Sequence, residues 1–252
     1  MEIVLEIRNL SKSFNGLTVL DNIHFSLEKS SINALIGTNG SGKSTLFNII
    51  SGFIKSDSGE IMYKKRRITS LPSYKISRKG LNRTFQLLRI FPQLSVLDNM
   101  LIALENRKKE KLSYACDVFA KYNSTRITDS ATKLLSSCGL ETKLDMNASN
   151  LSHGQKRILE IMRVIALKGD VLLFDEPSVG LSKQLIDVLF EIFEKLKKEG
   201  KTICFIEHNV DLAKRAERII VLDNGKIIAD GKPSIVLQMP NVISAYYGKN
   251  CV

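Results

Sequence analysis

The chain has 252 residues and a mass of 28.2 kDa, with 44% hydrophobic and 25% charged residues. This is ordinary globular usage over a length that buries a sizeable core, which excludes a disordered or low-complexity chain. Lys and Arg number 37 against 26 Asp and Glu, and the net charge of +11 favours anionic partners such as nucleotides, nucleic acid or an anionic lipid surface without choosing among them.

Uninterrupted apolar runs are short, as in Val171-Leu172-Leu173-Phe174, so a bilayer-spanning helix of about 20 residues is not expected. The start, Met1 to Glu6, is acidic and strand-like and unlike a signal peptide. Cys116, Cys138, Cys204 and Cys251 are scattered with no CxxC pair, which argues for reduced thiols and against a disulfide framework or zinc site.

In chain order, Leu5 to Ile7 and Ile23 to Leu27 alternate with the period of half-buried strands. Ile32 to Ile36 reads as a buried strand ending at Gly37, followed by a helix from Lys43 to about Ser51 with Gly52 as its stop. Residues 90 to 168 carry helical spacing broken by polar connectors. They close on a helix from Ser152 to Lys168 with Ile158, Ile161, Met162, Ile165 and Ala166 as its apolar stripe. Strand and helix then alternate: a strand at Val171 to Phe174, a helix from Lys183 to Glu199 with Leu185, Val188, Leu189, Ile192 and Leu196 on one face, and a strand at Thr202 to Ile206. A hairpin follows, with Asn224-Gly225 between Ile219 to Asp223 and Lys226 to Ala229. This order implies an α/β fold with a mainly parallel sheet covered on both faces.

Gly37-Thr38-Asn39-Gly40-Ser41-Gly42-Lys43-Ser44 fits the phosphate-loop pattern G-x-x-x-x-G-K-[ST]. Glycines let successive backbone N–H groups converge on phosphate oxygens, Lys43 brings a positive charge to the β- and γ-phosphates, and Ser44 offers a hydroxyl to Mg²⁺. The helix that follows points its positive end at the anion. The strand Val171 to Phe174 ends in Asp175 and Glu176: Asp175 suits the Mg²⁺ shell, and Glu176 can polarise a water in line with the γ-phosphate. A solvated strand end explains one such acid well and the adjacent pair poorly.

Between these motifs lies Leu151-Ser152-His153-Gly154-Gln155-Lys156-Arg157, which resembles the LSGGQ signature of ABC-type ATPases with His153 in place of the first glycine. The resemblance covers nearly the whole chain: Gln86 in Arg83-Thr84-Phe85-Gln86 matches the Q-loop, His208 the switch histidine, Val179 to Ser182 the D-loop, and Phe14 the adenine-stacking position. Asn82 to Gln86, Ile90 to Asn99, Ile206-Glu207-His208 and the tail Val242 to Gly248 are similar to one subfamily, the ATP-binding subunits of branched-chain amino acid importers. Urea-type importers and lipopolysaccharide exporters are near relatives.

The resemblance implies a phosphate-loop NTPase core with an N-terminal antiparallel β subdomain and an inserted helical subdomain. It implies one ATPase domain over 1–252, with about 1–88 and 169–252 as the ATP-binding core and about 89–168 as the helical subdomain. Two such subunits, identical or sisters, would sandwich ATP between one phosphate loop and the other signature helix. ATP would be held by Phe14, Gly37, Thr38, Asn39, Gly40, Ser41, Gly42, Lys43, Ser44 and Thr45, and across the sandwich by Ser152, Gly154 and Gln155. Glu176 would be general base, His208 would contact the γ-phosphate, and Gln86 would sense Mg²⁺ and water, with Ser44, Gln86 and Asp175 as the metal's ligands. The reaction implied is ATP hydrolysis coupled to transport. Integral-membrane permeases would be partners on the cytoplasmic face of the membrane, a solute-binding protein would act indirectly, and no nucleic acid is expected.

Three departures stand out: His153 for glycine, Ser182 for the D-loop Asp or Asn, and Phe14 for the commoner Tyr, which keeps a stacking face. The alternatives are another cargo (urea or amide uptake, lipid or lipopolysaccharide export) or a soluble ABC ATPase acting on nucleic acid or ribosomes. His24 reads as a structural strand residue. Lys64 to Arg67 and Arg107 to Lys109 read as solvated faces that could also lie near an anionic leaflet.

Overall fold

Ten strands and nine helices organise the residues described by the computed structural model, namely 2–85, 88–105 and 125–247. The first two strands, β1 (Ile3–Phe14) and β2 (Leu17–Glu28), form a long antiparallel hairpin, closed by Asn15-Gly16 with φ of 48° and 83°. Both residues of that turn need positive φ, the requirement of the tight hairpin turn that matches strand twist. Adding β4 (Ser58–Tyr63) and β5 (Arg66–Arg67) gives a four-stranded sheet in the order β2-β1-β4-β5. Val4, Leu5, Ile7 and Leu10 of β1 are buried, with Ile23, Phe25 and Leu27 of β2, while His24 is exposed.

The second sheet contains β3 (Ile32–Ile36), β6 (Leu81–Arg83), β7 (Val171–Asp175), β8 (Thr202–Glu207), β9 (Arg218–Asp223) and β10 (Lys226–Gly231), in the order β10-β9-β3-β8-β7-β6. Pairing is parallel from β9 across to β6, and β10 joins antiparallel through the turn at Asn224-Gly225. Every residue of β3, β7 and β8 is buried. Strands covered on both faces need near-continuous apolar sequence, which is why these segments read so plainly. Phe193 stacks on Phe174 at 4.9 Å between centroids and meets Phe205 at 6.0 Å. The expected stripe of the helix over residues 183 to 199 lacked Phe190 and Phe193, which the structure buries.

Helix α1 (Lys43–Ile50) follows β3, and Gly52, at φ 75°, ends it: a Cβ there would lie 2.5 Å from the Leu71 carbonyl. Helix α2 (Ser73–Lys79) leads into β6. Later come α3 (Val96–Glu105), α4 (Thr125–Ser136), α5 (His153–Ala166), α6 (Lys183–Lys198), and three short helices α7 (Val210–Ala213), α8 (Pro233–Val236) and α9 (Pro240–Tyr247).

The chain divides into two units. One holds both sheets and comprises Met1–Arg83, Asp170–Pro177 and Phe193–Val252; the other comprises Thr84–Gly169 and Ser178–Ile192. In the second unit α3, α4 and α5 pack on one another. The expected stripe of α5, Ile158, Ile161, Met162, Ile165 and Ala166, is buried there in full. Ser95 and Asp98 make a reciprocal cap at the start of α3. The buried Asn99 amide bonds both the N–H and the carbonyl of Phe91, pinning the turn before the helix. Among the described residues, Cys138 and Cys204 are free and buried, and no helix is long and apolar enough to cross a membrane.

Candidate functional site

The phosphate-loop sequence leaves the carboxyl end of β3 and turns into α1. A Cβ on Gly37 would lie 2.0 Å from the Leu222 carbonyl oxygen, so only glycine fits against β9. Gly42, at φ 106°, is likewise pressed onto Leu20 and Val19. The β9–β10 hairpin holds the loop from outside: Gly225 N–H donates to the Ser41 carbonyl at 3.1 Å, and Thr38 Oγ1 donates to Asp223 Oδ1 at 3.3 Å. Asn39, Gly40 and Ser44 face solvent, Thr38 and Thr45 are half-buried, and Ser41 and Lys43 are buried.

Lys43 Nζ donates to the carbonyls of Gly37 and Thr38, each at 2.8 Å. Burial pushes the Lys43 ammonium below its ordinary range, offset in part by Glu176 and Asp175. A buried cation in the first turn of a helix, where the unbonded N–H groups and the helix dipole favour negative charge, suits an anion.

Two neighbouring strand ends supply the acid pair and the histidine. In the parallel register Asp175 lies beside Ile206, and Ile36 beside Glu207, so β3, β7 and β8 end together. Asp175 is buried as the last residue of β7. Glu176, the next residue, is held at φ 48° with its N–H on the Ile206 carbonyl at 3.1 Å. A glutamate in the left-handed region costs on the order of 1–3 kcal/mol and persists only where its surroundings fix it. Its Oε1 lies 2.5 Å from His208 Nε2, one residue past β8. Ligands of open α/β sheets bind at this carboxyl edge.

Asp175 Oδ2 accepts from Arg83 Nη2 at 2.7 Å, an ion pair with side chains 5% and 2% exposed. For Mg²⁺ the unit offers a hard-oxygen set: the Asp175 carboxylate and the exposed Ser44 hydroxyl in the first turn of α1. No cluster of three or more His, Cys, Asp or Glu suited to a metal exists among the described residues. One carboxylate and one hydroxyl, completed by water and phosphate oxygens, is how Mg²⁺ is commonly held, so the donors present fit it.

The signature sequence belongs to the second unit. Ser152 caps α5: its Oγ accepts from Gln155 N–H at 3.3 Å, and Gln155 Oε1 accepts from Ser152 N–H at 3.1 Å. The Gln155 side chain, expected on the nucleotide, is thereby committed to the cap, and also accepts from Lys143 Nζ at 3.1 Å. Gly154 passes so close to Gly180 that a Cβ would lie 2.7 Å from its carbonyl oxygen. The His153 imidazole lies over Gly180, where an added Cβ would sit 2.4 Å from Nδ1. The departure from glycine at 153 thus fills space above the loop that ends at Ser182.

Phe14 is 41% exposed at the end of β1, with the Lys12 ammonium 5.1 Å from its ring centroid. Gln86 lies outside the described residues. Of the other sequence candidates, Phe14, residues 37–45, Asp175, Glu176 and His208 fall in the sheet-bearing unit and Ser152, Gly154 and Gln155 in the helical one. Sequence reasoning missed Arg83, Asp223 and Gly225 as supports of the site. Arg83 carries one signal, a charge at the end of a short buried strand; the Asn224-Gly225 hairpin is plain from its turn residues, but nothing in it points to the phosphate loop.

Residues 20–179 match the family model described as ABC transporter. Over 97% of its length the chain is 36% identical to a probable branched-chain amino acid transport ATP-binding protein, LivG, of Archaeoglobus fulgidus, covering 95% of that protein. It is 34% identical, over 98% of both chains, to the high-affinity branched-chain amino acid transport ATP-binding protein LivG of Escherichia coli K12. Among solved structures it matches the ADP conformation of MJ1267, an ATP-binding cassette of an ABC transporter, at TM-score 0.84 and 31% identity over 99% of this chain and 100% of that one.

Proposed function

The chain belongs to the ABC transporter family as an ATP-binding, ATPase subunit, and on that premise we propose that it powers an importer of branched-chain amino acids. The observation that carries the ATPase reading is the meeting of three strand ends, where the phosphate loop follows β3, Asp175–Glu176 ends β7 and His208 follows β8. The likeness to relatives named for branched-chain amino acid transport supports the cargo.

In this reading the loop N–H groups of residues 37–45 and Lys43 bind the ATP phosphates, and Phe14 stacks on adenine. Lys43 exchanges its loop carbonyls for phosphate oxygens, which returns a buried ammonium to an anionic partner. Ser44 and Asp175, with Gln86, hold Mg²⁺, which when bound neutralises phosphate charge. Glu176 accepts the proton of the attacking water, and His208, touching Glu176, orients that carboxylate and contacts the γ-phosphate. Residues 1–88 and 169–252 form the ATP-binding core and 89–168 the helical subdomain. The capped start of α5, through Ser152 and Gly154, presents its positive end to the γ-phosphate bound by a second subunit. ATP that favours the closed pair biases a two-state motion, and loss of the γ-phosphate releases it. The subunit works peripherally on the cytoplasmic face of the membrane, against integral permeases.

The test is purification of the tagged chain from detergent-solubilised membranes. Copurification of multi-span permeases, and Leu, Ile or Val binding by the solute-binding protein of that system, is expected. Permeases whose solute-binding protein takes urea or an amide instead overturn the cargo, and ribosomes or DNA without membrane protein overturn the transport reading.

A further inference from the structure

We propose that Arg83 is a positioning residue for the magnesium site: its side chain ties the helix that carries Ser44 to the carboxylate of Asp175. The proposal rests on Asp175 as a Mg²⁺ ligand. Arg83 is the last residue of β6, paired with β7 in parallel register opposite Leu173. Its guanidinium divides its donors. Nη2 donates to Asp175 Oδ2 at 2.7 Å, while Nη1 donates to Asn48 Oδ1 at 2.7 Å and Ser51 Oγ at 3.2 Å. Asn48 lies on α1 and Ser51 caps its end. The guanidinium also sits 5.6 Å from the ring centroid of Phe47, on the same helix.

A planar, buried fork with both arms engaged cannot turn toward one partner without leaving the other. It therefore fixes α1 against the end of β7, and with α1 the hydroxyl of Ser44 against the carboxylate of Asp175. The pair with Asp175 uses the single oxygen Oδ2. Mg²⁺ demands near-ideal octahedral geometry, so the relative placement of two ligands from different elements sets its affinity directly. Groups that orient metal ligands in this way typically alter metal affinity by about 10- to 100-fold. A charge whose role were only to neutralise Asp175 would need no second arm on α1, and lysine would serve.

The experiment titrates MgCl₂ into the full chain with a fluorescent ADP analogue, which binds without turnover, and compares nucleotide affinity in EDTA and in Mg²⁺. The variants are Arg83→Lys, which keeps the charge and loses the fork, and Asn48→Ala, which keeps the pair and removes its anchor on α1. Thermal unfolding checks that each folds. The expected result is an apparent Mg²⁺ affinity weakened by about 10- to 100-fold in Arg83→Lys and by a smaller factor in Asn48→Ala, with EDTA affinity close to wild type in both. Wild-type Mg²⁺ dependence in both overturns the proposal, as does equal loss with and without Mg²⁺. If Arg83→Lys does not fold, Asn48→Ala decides alone. Asp175→Asn separates the two readings: if it loses Mg²⁺ dependence while the other variants keep it, only the role of Arg83 fails. If Asp175→Asn keeps that dependence, Asp175 is not the ligand and both readings fall.

Discussion

His208 Nε2 lies 2.5 Å from Glu176 Oε1, and this contact joins the ends of two adjacent parallel strands. In the proposed mechanism these two are a base and the group that orients it, which act as a unit, so their losses should not add. Glu176→Gln is expected to lower ATP turnover by about 10²- to 10⁴-fold with ATP binding retained. Adding His208→Ala should cost little more than the worse single change. Phosphate release and equilibrium nucleotide binding measure both. Normal turnover in Glu176→Gln removes it as the base, and full additivity in the double variant removes the unit.

Lys43 is buried on loop carbonyls, and burial holds its ammonium below the ordinary lysine range. For a lysine depressed in the fold, the charged form opposes folding, so stability rises as pH rises through its folded value. Lys43→Met should therefore unfold at a temperature no lower than wild type without nucleotide, while the stabilisation by ATP disappears. Thermal scans with and without ATP test this. A clear fall in the nucleotide-free midpoint would contradict the burial argument, and an undiminished ATP shift would contradict the phosphate-loop reading.

Gly180 stands at φ 78° under the His153 ring. Gly180→Ala meets two costs, a left-handed alanine of roughly 1–2 kcal/mol and a clash with the imidazole. In a His153→Ala background only the first remains. Urea unfolding of the two single variants and the double should show a coupling of about 1 kcal/mol or more. Additive losses would mean that the ring does not rest on Gly180.

Arg157 and Glu160 pair at 2.8 Å on α5, both side chains 4% exposed, and Arg157 also donates to the Phe85 carbonyl at 2.7 Å. Glu160→Ala removes the ionic partner of a buried guanidinium and leaves it on a neutral carbonyl, which should cost roughly 3 kcal/mol in chemical denaturation. Burial raises the Glu160 carboxyl above its usual range, against the pull of Arg157. A raised acid contributes most below its unfolded value and loses that contribution as pH rises through its folded value. Wild-type stability relative to Glu160→Gln should therefore decline from acid toward neutral pH, and the opposite slope would reverse the assignment.

Much of the fold was legible because its central strands are buried on both faces. Ile32 to Ile36, Val171 to Phe174 and Thr202 to Ile206 could hardly read otherwise, and each falls in a parallel strand. The turn at Asn224-Gly225 and the cap at Ser152 were legible because local chemistry alone decides them. Arg83 was not, because its role depends on which elements converge on it: its partners Asn48 and Asp175 are far away in sequence. Phe193, four residues after Leu189 and three before Leu196, widens the expected stripe of α6 and packs on Phe174 and Phe205, partners that only the folded sheet brings to it.

The place of β3 in its sheet has a consequence for biosynthesis. Its two neighbours, β8 and β9, both arrive late: about 165 residues separate the end of β3 from β8, a gap that takes roughly 10–30 s to translate at ordinary rates. Until β8 has left the ribosome, the strand that feeds the phosphate loop has no bonded partner on either side, and until β9 follows, Gly37 lacks the wall that shapes it. The nascent chain therefore carries an unpaired apolar strand for most of its synthesis, and a transcript truncated anywhere before β8 should yield a product for chaperones and proteases rather than a nucleotide binder.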